Sequence, residues 1–198
     1  TVLTLELGLL LEIPVARIAI LGVIKALLPG EDKALLRLQV NFLGVIDFEN
    51  KYISFDASLY DSRLLTFTLA GDMAFRLSWG EQPVFILSVG GFHPAFREAP
   101  GDLQNMTRLT LSLLSGSNPR ITIQCYFAVT SNTVQFGARA ELYAAAAGFN
   151  VYGFIGFDLL FQFDPFKFIA AFAAGLALRR GSSVLMGIRV SGELSGPT

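Results

Sequence analysis

One cysteine, one histidine and one tryptophan stand in a chain of 198 residues. The single Cys125 excludes an intrachain disulfide, so no covalent staple holds this fold, and it does not fix the compartment. Within the run Ile121 to Phe127 it reads as a small buried hydrophobe. The single His93 excludes a zinc centre built on clustered Cys and His ligands, and no metal or cofactor is expected. It stands in Gly90-Gly91-Phe92-His93-Pro94, at the end of an apolar run, with no nucleophile at a motif spacing around it. The reading is a structural histidine.

Charge is scarce as well. Asp, Glu, Lys and Arg make up 16% of the chain, against about 25% in ordinary soluble domains. The 15 basic and 16 acidic residues leave a net charge of -1. They form no basic cluster, so a nucleic-acid partner is not expected. No apolar stretch is long and clean enough for a membrane-spanning helix. Gly8 to Leu28 is broken by Glu12, Arg17 and Lys25, and Leu142 to Phe161 by Asn150 and Asp158. The opening Thr1-Val2-Leu3 lacks a signal-peptide pattern, and Gly196-Pro197-Thr198 gives no clear stop. The expectation is a segment of a longer protein.

What the chain has is phenylalanine, 18 residues against five tyrosines, and a strict period of two. Leu3, Leu5, Leu7, Leu9, Leu11 and Ile13 share one face, with Glu6 and Glu12 on the other. Ile53, Phe55, Ala57 and Leu59 alternate with Ser54, Asp56 and Ser58. The run from Leu65 through Phe67, Leu69, Met73, Phe75 and Leu77 to Trp79 continues the pattern, and so do the runs after Pro83. Turn chemistry separates them: Pro29 to Asp32, Glu49-Asn50-Lys51, Asp61-Ser62, Gly80 to Pro83, Ser115 to Pro119, Ser131-Asn132 and Arg180-Gly181-Ser182. Most joints are too short for a helical crossover, so neighbouring strands pair antiparallel.

The predicted fold class is all-β. About twelve long antiparallel strands follow one another in meander order and form an extended curved sheet, a groove or a barrel. Residues 1–198 read as one β-rich domain or part of a larger β protein, with a loop, and the one candidate boundary, near 91–106. Pro94 to Asn105 lies in that loop, with room for one helical turn before Leu109. Pro14 to Leu28 is open between a strand and a short amphipathic helix, because Ile20, Ile24, Leu27 and Leu28 also fit helical spacing. Small residues occupy the second face of the late strands, Ala171, Ala173, Gly175 and Ala177 among them. They point to close backbone approach or to a sheet covered on both sides.

No catalytic constellation emerges. Asp56, Asp61 and Asp72 can be brought together by adjacent strands, but acidic residues beside Ser and Thr are ordinary on a solvated strand face. Gly153-Phe154-Ile155-Gly156 lacks the strand, turn and helix that a dinucleotide fingerprint needs. Asn105-Met106-Thr107 matches a glycosylation sequon.

Several stretches are distinctive as words: Leu38-Gln39-Val40-Asn41-Phe42-Leu43-Gly44-Val45-Ile46-Asp47, Phe55-Asp56-Ala57-Ser58-Leu59-Tyr60-Asp61-Ser62-Arg63 and Leu87-Ser88-Val89-Gly90-Gly91-Phe92-His93-Pro94. To these add Thr130 to Ala138 and Phe149-Asn150-Val151-Tyr152-Gly153. Over nearly its whole length the chain resembles the DUF6603 family, large bacterial and fungal proteins of unknown function. That resemblance implies a segment of a longer β-rich protein and carries over no catalytic residue.

Three functional expectations follow. The first is a non-catalytic sheet module whose large apolar face binds or conducts lipid-like hydrophobic ligands, with Phe149, Phe157, Phe161, Phe163, Phe168 and Phe172 as the ligand-facing residues. The second is a structural or assembly segment, whose apolar face packs on copies of itself or on the rest of a longer parent chain. The third is an outer-membrane β-barrel, with too little Trp and Tyr for the usual girdles.

Overall fold

The structure, a computed structural model, describes residues 2–30, 34–114 and 116–197. It holds twelve strands: β1 (Val2–Glu12), β2 (Arg17–Leu28), β3 (Leu36–Asp47), β4 (Tyr52–Leu64), β5 (Phe67–Ser78), β6 (Val84–Val89), β7 (Leu109–Leu114), β8 (Arg120–Thr130), β9 (Thr133–Ala146), β10 (Phe149–Gln162), β11 (Lys167–Arg180) and β12 (Ser183–Gly196). One 3-10 turn, Gly101–Leu103, falls in the loop before β7. All strands join a single antiparallel sheet in meander order. The segment from Arg17 to Leu28 is a strand along its whole length, paired with β1 and β3. Helical spacing there loses to the ladder, because both neighbours offer the same period of two.

The turn residues at Glu49 to Lys51, Gly80 to Pro83, Ser131-Asn132 and Arg180 to Ser182 fall at strand joints, and the chain also reverses at residues 13–16, 147–148 and 163–166, which carry none of the predicted turns. Asp61-Ser62 does not turn the chain. It lies inside β4 as a bulge, and the register slips there against both β3 and β5. The reversal comes later, at Leu65, which takes a positive φ of 56°. Ser62 repairs the ladder that the bulge opens. It is 1% exposed, and its Oγ accepts the Gln39 N–H at 2.8 Å. The predicted turns at Pro29 to Asp32 and Ser115 to Pro119 include Glu31, Asp32 and Ser115, which lie outside the described residues.

Lane six of the sheet is shared. β6 pairs with Met73–Ser78 of β5 and with Phe127–Thr130 of β8. Farther along, β7 pairs with Thr68–Ala70 of β5 and with the first half of β8. The two short strands lie end to end and run the same way. Twelve strands therefore make eleven lanes. The chain between them, residues 90–108, leaves the sheet and returns to it as a strap. Gly90 starts that exit at φ +73°, and a Cβ there would stand 2.5 Å from the Cys125 carbonyl oxygen. Only glycine fits both demands.

The sheet does not close. β1 and β12 end the path and do not pair with each other among the described residues. Among the described residues no second layer covers it either, and their one cluster of buried apolar side chains, Ala74, Ile86, Phe92, Leu103 and Ala128, sits where the strap meets the sheet. The sheet is not covered on both sides at β11: on its apolar side Phe172 is half exposed, while on the small-residue side the aromatic ring of Phe154 lies against Gly175.

Two predictions follow. Ser62→Ala leaves the buried Gln39 N–H without its acceptor and is expected to cost about 1–3 kcal/mol, read by urea unfolding; an unchanged midpoint would show that the bulge does not depend on this hydroxyl. At the β3–β4 turn, Asp47 accepts from the Asn50 backbone and side-chain amides, and from Arg17 at 2.7 Å. These bonds hold its carboxyl at about 2, below the ordinary 3.8. The folded value is depressed, so its stabilisation is complete above about 3.8 and disappears as the pH falls through about 2. Thermal unfolding should therefore weaken more steeply across that window in the native chain than in Asp47→Asn.

Candidate functional site: an uncovered apolar face and a strapped polar face

Directly opposed residues in an antiparallel pair share a face, so the registers sort the whole sheet into two sides. On one side a row runs from Leu7 on β1 through Gly22, Phe42, Ala57, Met73 and Val89 to Phe127 on β8. It continues through Phe136, Leu159 and Ala170 to Leu194 on β12. Eleven lanes carry no polar side chain along this row. The flanking rows on the same side are as apolar, with Leu5, Ile24, Val40 and Leu59 to one end and Cys125, Ala138, Phe157 and Phe172 farther across. Among the described residues nothing covers them. Ile155 is 65% exposed and Ile188 67% exposed.

The phenylalanines lie low on this face. A Cβ on Gly192 would collide with Phe172 Cε1, and one on Gly22 would reach Phe42 Cζ at 3.0 Å. Each ring leans across a glycine of the neighbouring strand and shields its backbone. The Phe42 and Phe55 rings stack at 5.7 Å, and those of Phe136 and Phe161 at 6.5 Å. Of the six candidate ligand-facing residues, Phe149, Phe157, Phe161, Phe168 and Phe172 fall on this side of β10 and β11. Phe157 stands opposite Phe172, and Phe161 opposite Phe168. Phe163 lies in the turn after β10, not on the sheet. What the six residues leave out is the extent of the surface: it reaches back to β1 and forward to β12. The leucine alternation at Leu3 to Leu11 is the signal that marked it.

The other side carries the strap and most of the charged side chains, with Leu10, Leu21 and Leu43 exposed among them on β1 to β3. Asp72 fixes both legs. Its N–H donates to Thr107 O at 3.1 Å, its C=O accepts from Gly90 N–H at 2.8 Å, and its carboxylate accepts from Thr107 N–H at 2.7 Å. Burial opposes ionisation of this carboxyl, but the bonds from Thr107 and Ser58 outweigh it and its pKa is lowered. Arg76, 6% exposed, bonds Asp56 and Asp102 at 2.9 Å each, so it ties the strap's 3-10 turn to β4. Arg108 donates to the carbonyls of Gly90 and Phe92 and lies 4.0 Å from the Tyr126 ring centroid. Tyr126 in turn donates to Asp158 at 2.9 Å. The carboxylates of Asp56 and Asp72 are thus engaged in holding the strap, and Asp61 sits apart at the β4 bulge.

His93 belongs to the same fastening. Its N–H donates to the Oε1 of Gln135, and its Nδ1 accepts from Ala95 N–H at 3.0 Å. Burial lowers its pKa, so the ring is neutral with the proton on Nε2. That Nε2 makes no hydrogen bond. Beside it, Phe92, Phe96, Arg97, Met106 and Arg108 line a cavity of about 380 Å³. Among the described residues no group of three or more His, Cys, Asp or Glu gathers to hold a metal ion. Nor is any helix long and apolar enough to cross a membrane.

Fold and face together define an open, single-layer antiparallel sheet with one apolar side and one that carries the strap and most of the charge. The chain belongs to DUF6603, a family of unknown function, whose profile matches residues 1–198. No curated protein matches it, and no solved structure does.

Arg76→Met keeps the apolar stem and removes the charge. It is expected to cost about 1–3 kcal/mol and to strip hydrogen-exchange protection from the strap amides around Leu103, while β9 to β11 stay protected. Equal protection in both proteins would mean that the ion pairs do not hold the strap down.

Proposed function

We propose that this chain is a non-catalytic sheet module that takes up lipid-like apolar chains along its apolar face. One observation carries the reading: an apolar row runs unbroken across all eleven lanes, and none of the described residues forms a layer over it. Removing such a surface from water is worth about 25 cal/mol per Å², or roughly 0.8 kcal/mol for each buried methylene. An acyl chain gains this on contact. Rings that lean over glycines, such as Phe42 and Phe172, leave room above the neighbouring strand for a flexible chain. The polar side, with its strap and ion pairs, stays in water.

A second reading has its own observation. Among the described residues both edge strands lack a partner on their outer side, and they are apolar on alternate residues, Leu3 to Leu11 on β1 and Met186 to Leu194 on β12. That arrangement supports an assembly segment packed against other chains or against further parts of its own parent chain.

The test is mass spectrometry of an organic extract of protein purified without detergent. Stoichiometric lipid is expected. Ile155 stands on the apolar face between Ala140 and Ala174, so Ile155→Asp should reduce the bound lipid several-fold with unchanged circular dichroism. Ala173→Asp, on the polar face of the same hairpin, should leave it unchanged. A soluble protein with a clean extract sinks the lipid reading and favours assembly. Recovery only in detergent favours the outer-membrane reading.

A further inference from the structure

β12 is an open edge of 14 residues without proline. Its polar-face residues alternate as Gly187, Arg189, Ser191, Glu193 and Ser195, opposite Ala177, Gly175, Ala173, Ala171 and Ile169 of β11. Arg189 and Glu193 are opposite charges four residues apart on one face. Neither takes part in an ion pair among the described residues; the Arg189 guanidinium lies 5.9 Å from the Phe154 ring centroid. β1 differs. Its glutamates are already engaged, Glu6 with Lys25 and Glu12 with Arg17.

A twofold axis normal to the sheet through Ser191 would lay a second β12 antiparallel against the first. In that register Ser191 meets its own copy, and Arg189 of each chain stands directly opposite Glu193 of the other. Gly187 meets Ser195. On the apolar side Ile188 meets Leu194, and Val190 meets Gly192. The charges match twice, no like charges oppose, and both apolar faces stay on the same side of the joined sheet. Shifting the register by two residues in either direction loses both ion pairs.

The two edges of one chain have no such option with each other. Ten antiparallel steps separate β1 from β12 across eleven lanes, so these strands run in the same direction. Direct closure of the chain on itself would be a parallel pairing in an otherwise antiparallel sheet.

We propose that β12 is a self-association edge. Two copies of this chain pair through it antiparallel about a twofold at Ser191, held in register by reciprocal Arg189–Glu193 contacts.

Position-specific cross-linking and sedimentation test this. Opposed residues in an antiparallel pair have Cα atoms about 4.5–5.5 Å apart, inside the span of about 4.4–6.8 Å that a disulfide bridges. Ser191→Cys should therefore give a covalent dimer under mild oxidation, with the 191–191 linkage confirmed by peptide mapping. Ser195→Cys alone should not, whereas Ser195→Cys mixed with Gly187→Cys should. In sedimentation, Arg189→Glu and Glu193→Arg should each weaken the dimer about tenfold or more, and the double exchange should restore it. A monomer at all concentrations overturns the proposal. So does equal cross-linking at 191 and 195, which indicates unspecific aggregation, and so does a double exchange that restores nothing.

Discussion

An amide inside a single-layer sheet has one set of partners, the carbonyls of the strands on either side. That ladder is what this molecule stands on. In a layered protein a broken rung is backed by a core. Here only seven apolar side chains are buried among the described residues, and five of them form the cluster at the strap. Away from that cluster each lane is held by its two neighbours and by side chains that touch along the faces. Stability is then close to a sum of nearest-neighbour terms, as in repeat proteins. This explains where the chain spends its buried polar groups. Ser62 closes the β4 bulge, and Asp72 bridges the place where β5 faces neither β6 nor β7. Gln135, fully buried, takes the His93 N–H at 2.9 Å and donates to Thr133 at 2.8 Å. Each one repairs or anchors a position where strand pairing alone fails.

Phenylalanine and glycine make sense in the same terms. A standing aromatic ring on an uncovered sheet keeps most of its surface in water. A ring lowered onto a neighbouring glycine buries part of itself and covers a ladder bond. On the apolar face Phe42 on Gly22, Phe55 beside Gly44 and Phe172 on Gly192 do this, and on the other face Phe154 does it on Gly175. Composition, which looks like a bias toward Phe and Gly along the chain, becomes a cross-strand pairing rule once the registers are known. The face is apolar and flush. It keeps its interior backbone shielded even with nothing lying on it.

Much of this was legible in the sequence, because a period of two is a local signal that survives without knowledge of partners. The strand count, the antiparallel meander and the turns at Glu49 to Lys51 and Arg180 to Ser182 came from that signal and from turn chemistry. What it could not give was non-local. Asp61-Ser62 looks like a turn because its residues favour one, yet both neighbouring strands continue past it and hold it in the sheet. Nothing local marks Asp72, Arg76 and Gln135 of the sheet as anchors of the strap, since their partners Thr107, Asp102 and His93 lie 26 to 42 residues away. The six candidate ligand-facing phenylalanines all lie between residues 149 and 172. The face they belong to is defined by eleven registers, none of which is written in a single strand.

The shared lane has the widest consequence. β6 and β7 have six residues each and together span about one long strand. Because the strap divides one lane instead of adding two, the lane count is odd, and β1 and β12 point the same way. A chain with these two strands in separate lanes would have antiparallel ends that could meet as the rest of the sheet does. With a divided lane, closure within one chain needs a parallel seam. Further antiparallel growth then has to come from another strand laid against β1 or β12, whether from a second copy or from another part of a longer chain. The strap is therefore more than a cover that packs Phe92 and Leu103 on Ala74, Ile86 and Ala128 of the sheet. By splitting lane six, it sets the direction of both edges and with it the geometry that any edge partner must adopt.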